Sequence, residues 1–205
     1  MEARAVLATH NAHKVAELRA ILAPVIAGWR DEWLVGAADM GVDSPVEDGA
    51  TFEENALLKA RAASRATGLV AIADDSGISV DILGGAPGIF SARWCGRHGD
   101  DAANLRLLLD QLADVPDRLR GAQFVSAAAL VTPDGEEVCE LGCLRGVLTH
   151  APRGNGGFGY DPIFVPEGSQ VTTAEMSAER KNSLSHRGRA FRALAPALAR
   201  YLAAG

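Results

Sequence analysis

Cysteine is scarce in this sequence of 205 residues, and the three present, Cys95, Cys139 and Cys143, form no C-x-x-C pair. Neither a disulfide framework nor a zinc spacing is therefore indicated, and the three read as small buried or half-buried fillers. Positive charge is also in deficit. Twenty Lys and Arg against 26 Asp and Glu give a formal net charge of -6, which argues against nucleic acid or an acidic membrane surface as partner, since both demand a basic face. A small anion held by a local cluster of basic residues remains compatible with that balance. Long apolar runs are missing as well: the uncharged stretches Ala20–Trp29 and Gly121–Pro133 fall short of the roughly 18–20 residues of a membrane span. The start, MEARAVLATHNAHK, carries Glu2 where a secretory leader would be basic and has no sustained apolar region, so a cytoplasmic location is expected. Repeats, low-complexity tracts and linkers are absent. With 48% hydrophobic residues the chain can bury a sizeable core, and a single domain over residues 1–205, built as two lobes, is expected.

What is present alternates. RAVLA (Arg4–Ala8) reads as a buried strand, and Val15, Leu18, Ile21, Leu22 and Val25 recur at helical spacing behind it. EWLVGA (Glu32–Ala37) reads as a second strand, followed by the acidic loop MGVDSPVEDG. Thr51 and Glu54 form a capping box ahead of a helix that Gly68 should close. Two strands, Leu69–Ala73 and Ile78–Leu83, are expected on either side of a break at Asp74-Asp75-Ser76-Gly77, and an amphipathic helix beyond Asp100. AQFVSAAALVT and EEVCELGCLRGVLT, joined by Pro133-Asp134-Gly135, read as a long hairpin. A short strand near Ile163–Val165 and a final helix that Pro196 should kink or restart complete the pattern. The fold class is α/β, a mixed central sheet flanked by helices.

Several segments carry chemistry. GNGGFG (Gly154–Gly159) matches G-x-G-x-x-G in letters, but it runs into Tyr160-Asp161-Pro162-Ile163-Phe164, which favours a strand, whereas the dinucleotide fingerprint must open a helix. A P-loop is absent. In LATHNAHK a strand gives way to a helix just after Asn11, so free backbone N–H groups and the positive helix end could meet an anion beside Thr9, Asn11 and Lys14; an ordinary Asn cap is the alternative. Asp74 and Asp75 are either turn acids before Ser-Gly or a pair whose repulsion and lost hydration a divalent cation would relieve. Oxygen ligands of this kind suit Mg2+, with Glu47 a further candidate. Lys181, His186 and Arg187 converge near a helix start, or form a solvated basic face.

Taken in order, LATHNAHKVAEL, EDGATFEENALLKA, AIADDSGISVDILGGAPGIFSAR, GGFGYDPIF and AEMSAERKNSLSHRGRA resemble the inosine/xanthosine triphosphate pyrophosphatase family, over nearly the whole chain. The resemblance implies Mg2+-dependent hydrolysis of ITP, dITP and XTP to monophosphate and pyrophosphate by a homodimer with its cleft between two lobes. It implies that Thr9, Asn11, Lys14 and Lys59 hold the triphosphate, that Glu47 and Asp75 bind the metal, and that Asp75, with Asp74 beside it, accepts the proton. Ser76 matches a substrate-binding position, and Phe158, Gly159, Tyr160, Asp161, Lys181, His186 and Arg187 match the nucleobase pocket. Two positions depart from the family pattern: His10 replaces the usual glycine, and Val46 takes the first of two acidic positions, leaving Glu47. Lys181 or Arg187 is expected to donate to a 6-oxo group, with Phe158 or Tyr160 as a stacking face. A related nucleotide pyrophosphatase with modified-base or pyrimidine preference is the alternative activity.

Overall fold

The computed structural model describes residues 3–203; Glu2, which bore on the leader reading, lies outside them. Six strands form one mixed sheet in the order β2-β1-β3-β4-β5-β6: β1 is Ala5–Leu7, β2 Leu34–Gly36, β3 Val70–Val80, β4 Gly121–Val131, β5 Glu137–Leu148 and β6 Phe164–Pro166. β1 runs parallel to both β2 and β3, and β6 antiparallel to β5, so the mixed α/β expectation holds. The helices are α1 (Ala12–Leu22), α2 (Phe52–Thr67), α3 (Asp101–Gln111), α4 (Ala178–Leu184) and α5 (His186–Ala203). None is long and apolar enough to cross a membrane.

The chain divides into two compact units. The first takes the segments ending at Asp75, Ser126–Gly142 and the chain from Arg187 on. Its core joins Leu7, Leu18, Leu22, Leu34, Ile72 and Leu130 to one stripe of α5, Phe191, Leu194, Leu198 and Leu202, the i, i+3, i+7 face of an amphipathic helix. Pro196 lies inside α5 without ending it. Proline there removes one backbone hydrogen bond, but apolar side chains buried on both sides of it, Leu194 and Leu198, hold the helix together. α2 is bounded as its sequence demands: the Thr51 hydroxyl accepts from Glu54 N at 3.1 Å, and Gly68 closes it with φ 70°.

The second unit takes Ser76–Val125 and Cys143–His186, with Ile78, Val80, Leu108, Leu112, Leu148, Tyr160, Ile163 and Phe164 in its core. Arg120 is buried among them and donates to the carbonyls of Leu112, Leu148 and Thr149 at 2.7, 2.9 and 2.8 Å. The first of these closes α3, where a cation meets the negative helix end.

One expectation fails. β3 runs unbroken from Val70 to Val80, through Asp74-Asp75-Ser76-Gly77. Gly77 serves close packing rather than a turn: a β-carbon there would collide with Ser91 Oγ and Gly88 O, and the Ser91 hydroxyl accepts from Ile78 N at 2.9 Å. The two acids stay in the strand because each meets its own partners, as follows.

Candidate active site

Alternation along β3 sends consecutive side chains to opposite faces, which separates Asp74 from Asp75. Asp74 is buried, 6% exposed. Arg187 Nε donates to its Oδ2 at 2.9 Å, and Lys14 Nζ lies 3.4 Å from Oδ1. Arg187 is itself clamped, Nη1 donating to Glu17 Oε2 at 3.1 Å. Lys14 and Glu17 sit three residues apart on α1 and so share a face, while Arg187 comes from the first turn of α5. Burial alone would raise the Asp74 carboxyl, but the charges of Arg187, Lys14 and Lys59 and the Arg187 hydrogen bond outweigh it and hold Asp74 well below the usual carboxylate range.

Asp75 faces α2. Asn55 Nδ2 donates to its Oδ2 at 3.2 Å, and Lys59 Nζ lies 3.4 Å from Oδ1 and 3.3 Å from Glu47 Oε1. Asn55 and Lys59 are four residues apart on one helical face. Burial pushes the Asp75 carboxyl up; Lys59 and Asn55 oppose this, and the nearby Glu47 adds to it. Adjacent aspartates are thus shifted in opposite directions, Asp74 down by its cationic partners and Asp75 up by burial.

At the start of α1 the chain leaves β1 at Leu7, and Asn11 N donates to Thr9 Oγ1 at 3.2 Å just ahead of the helix. Glu17 and Asn55 were not singled out by sequence. Their spacing from Lys14 and Lys59 is the signal that could have found them.

In the second unit the loop Gly154–Gly159 folds around Asp161, which is 3% exposed. Phe158 N, Thr173 Oγ1 and Lys181 Nζ donate to its carboxylate at 2.8, 2.8 and 2.5 Å. Gly157, at φ 72°, has no room for a β-carbon against Asp161 Oδ2. Lys181 Nζ also stands 4.7 Å from the centre of the Phe158 ring, which is 66% exposed. Tyr160 differs from the expectation of a stacking face: it is a core residue, 5% exposed, its hydroxyl donating to Ser91 O at 2.9 Å, and burial pushes its phenol up. Phe158 alone of the two presents a ring outward. The His186 ring stacks on Phe124, centroids 5.1 Å apart at 14°, and Ser76 is half-buried. Arg187, grouped by sequence with the nucleobase residues, lies in the first unit on Asp74 and Glu17. Its Nε and Nη1 are engaged by these two carboxylates, and these contacts are those of a residue that holds Asp74.

Among the described residues no group of three or more His, Cys, Asp and Glu side chains is placed to hold an ion. Glu47 and Asp75 nevertheless converge on one point of positive charge, the Lys59 ammonium. That donor set fits a hard cation taking one or two carboxylates, with water and phosphate oxygens completing its shell.

A mixed α/β sheet carrying a helix N-terminus, lysines and paired carboxylates defines a protein suited to polyanionic phosphate ligands. The sequence comparisons narrow the class: the chain belongs to the Ham1 family, whose sequence model matches residues 5–197. It is similar to the dITP/XTP pyrophosphatase of Streptomyces coelicolor, 62% identical over 94% of this chain and 96% of that protein, and to that of Leifsonia xyli, 56% identical over 95% of each. Solved structures agree. A crystal structure of the nucleoside-triphosphatase (dITP/XTP pyrophosphatase) of Mycobacterium abscessus gives a TM-score of 0.78 at 52% identity, covering 94% of this chain and 99% of that one. The HAM1 protein of Coxiella burnetii gives 0.87 at 36% identity, covering 97% and 100%.

Proposed function

We propose that this chain hydrolyses non-standard purine nucleoside triphosphates, dITP, ITP and XTP, to the monophosphate and pyrophosphate, with Mg2+ as cofactor. The relatives' activity supports the reaction; the observation that carries the assignment of roles is the opposed environment of Asp74 and Asp75.

In this reading Thr9, Asn11 and Lys14 hold the triphosphate at the start of α1, and Lys59 neutralises charge from α2. Asp75 accepts the proton of the attacking water while the new O–P bond forms at the α-phosphorus and the bond to the β-phosphate oxygen breaks. A carboxylate whose pKa is raised is the stronger base for that transfer. Bound by Asp75 and Glu47, Mg2+ would neutralise the developing charge and orient the water. Asp74 takes no proton; paired with Arg187, it fixes Lys14.

In the second unit Lys181 donates to the 6-oxo edge, where a 6-amino group would leave it without an acceptor. Phe158 supplies a stacking face, and Ser76 and His186 keep their substrate-side roles. Asp161 offsets the lysine's charge and aims it. The same reading takes the protein to act as a cytoplasmic homodimer on free nucleotide, with no nucleic acid or membrane partner.

Pyrophosphate release from a panel of dITP, ITP, XTP, dATP, dGTP, pyrimidine and modified-base triphosphates, with and without Mg2+, tests this. Release confined to the 6-oxo, non-guanine purines and dependent on Mg2+ is expected. A preference for pyrimidines or modified bases would overturn the substrate assignment, and turnover indifferent to divalent cations would overturn the cofactor.

A further inference from the structure

The acidic loop that carries Glu47 has no regular structure between Val42 and Ala50, and little of it is buried; Val46 is 80% exposed. Apolar packing therefore cannot account for its placement, and polar pins must. Its far end is held by α2, Gly49 N donating to Asn55 Oδ1 at 2.9 Å and Ala50 N to Glu54 Oε2 at 2.6 Å. Its near end meets His10. The two ring nitrogens engage two successive points of the loop: Nε2 lies 2.8 Å from Val42 O, and Nδ1 2.8 Å from the Ser44 hydroxyl. A carbonyl only accepts, so Nε2 carries the hydrogen and donates; in the neutral ring Nδ1 then accepts from Ser44 Oγ. His10, Val42, Ser44 and Pro45 border one small space with Lys59, the lysine that pairs with Glu47 and Asp75.

We propose that His10 is a positioning residue, a latch tying the β1–α1 loop to the acidic loop so that Glu47 is held at the Lys59–Asp75 point before any ligand arrives. Its consequence for catalysis rests on the assignment of Glu47 as a metal ligand. The latch acts on the loop through the Val42 carbonyl and the Ser44 hydroxyl, and among the described residues no bond joins His10 to Glu47, Lys59 or Asp75. Alanine at position 10 leaves Val42 O and Ser44 Oγ to water, and the near end of the loop is then held by Val42 N donating to Ala37 O at 3.0 Å. An amide side chain offers one donor and one acceptor and can restore at least the Val42 bond.

The test compares His10→Ala, His10→Gln and Glu47→Gln in the full chain. In the metal-free protein, exchange of the Val42 amide, which donates to Ala37 O at 3.0 Å beside the His10 contact, should rise about tenfold in His10→Ala and return toward the parent rate in His10→Gln. The Mg2+ concentration giving half-maximal pyrophosphate release should rise about tenfold in His10→Ala, with kcat at saturating Mg2+ and the KM for dITP unchanged. Glu47→Gln should raise the Mg2+ requirement without loosening the loop. Unchanged exchange in His10→Ala would overturn the latch. Faster exchange with an unchanged Mg2+ requirement, while Glu47→Gln raises it, would overturn the positioning role. An unchanged Mg2+ requirement in Glu47→Gln would overturn the metal assignment on which that role rests.

Discussion

The two units handle buried carboxylates in different ways. In the first, lysine ammonium groups stand 3.3–3.4 Å from Asp74, Asp75 and Glu47, and one of them, Lys59, is shared between two acids. In the second, Lys181 and Asp161 close a pair at 2.5 Å, with Thr173 and Phe158 N occupying more of the carboxylate. The loose, shared pairs can exchange partners for phosphate oxygens at little cost. The tight pair is already satisfied, so its lysine presents a directed N–H rather than a free charge. In the proposed function the first region takes up phosphate charge and the second recognises a base edge.

The largest way to break that contrast is at Asp75. Asp75→Asn should lower kcat for dITP by about 10²–10⁴-fold, the range that a positioned general base supplies, while the fold survives, because a neutral amide is less costly to bury than the carboxylate. Near-parental kcat in steady-state assays would remove Asp75 from its role.

Next in size is the Asp74–Arg187 pair. Removing either partner, by Asp74→Ala or Arg187→Ala, leaves a buried charge with its second partner, Glu17 or Lys14 respectively, and should cost up to about 3–5 kcal/mol in urea unfolding. The double variant should cost less than the sum. Arg187→Ala should also leave the dITP-to-dATP preference nearly intact; a collapse of that preference would return Arg187 to the base edge.

Lys181→Ala sharpens the other side. Losing a charged donor to the substrate should reduce kcat/KM for dITP by about 1.5–3 kcal/mol, ten- to a hundredfold or so, with the dITP-to-dATP ratio falling in parallel. An equal loss for both substrates would assign Lys181 to phosphate rather than base.

The smallest effect is on stability against pH in the absence of divalent cations. Asp75 has a folded pKa above its unfolded value, so the folded state keeps its proton longer and stability should decline as pH rises from about 4 through the raised value. Asp74 is depressed; its contribution is present above about pH 4 and is lost as pH falls through its folded value. Asp75→Asn should abolish the first decline and leave the second. Urea titrations across this range would show it, and a decline that persists in the variant would place its origin elsewhere.

How much of this was legible beforehand depends on how far apart the interacting residues lie in the chain. The limits of α2 were readable because Thr51, Glu54 and Gly68 act on their own helix. The long hairpin was readable because β4 and β5 are joined by a local turn at Pro133-Asp134-Gly135. The continuity of β3 was not, since Asp74 is stabilised by Lys14 and Arg187, each supplied by a distant segment. Phe158 and Tyr160 stand two residues apart in one motif, yet one ring is exposed and the other buried. No local pattern decides between them; the buried position of Tyr160 follows from Ser91 and the core around Ile163 and Phe164.

The chain passes from one unit to the other at Asp75, Val125, Gly142 and His186, and this sets an order on synthesis. The second unit has all of its residues once His186 has been made, whereas the first still lacks α5 and with it Phe191, Leu194 and Leu198. Until that helix emerges, Leu7, Ile72 and Leu130 have no lid, and the growing polypeptide carries an unfinished apolar surface. Although its first strand is translated earliest, the unit that holds Asp74 and Asp75 is the last to be completed on the ribosome.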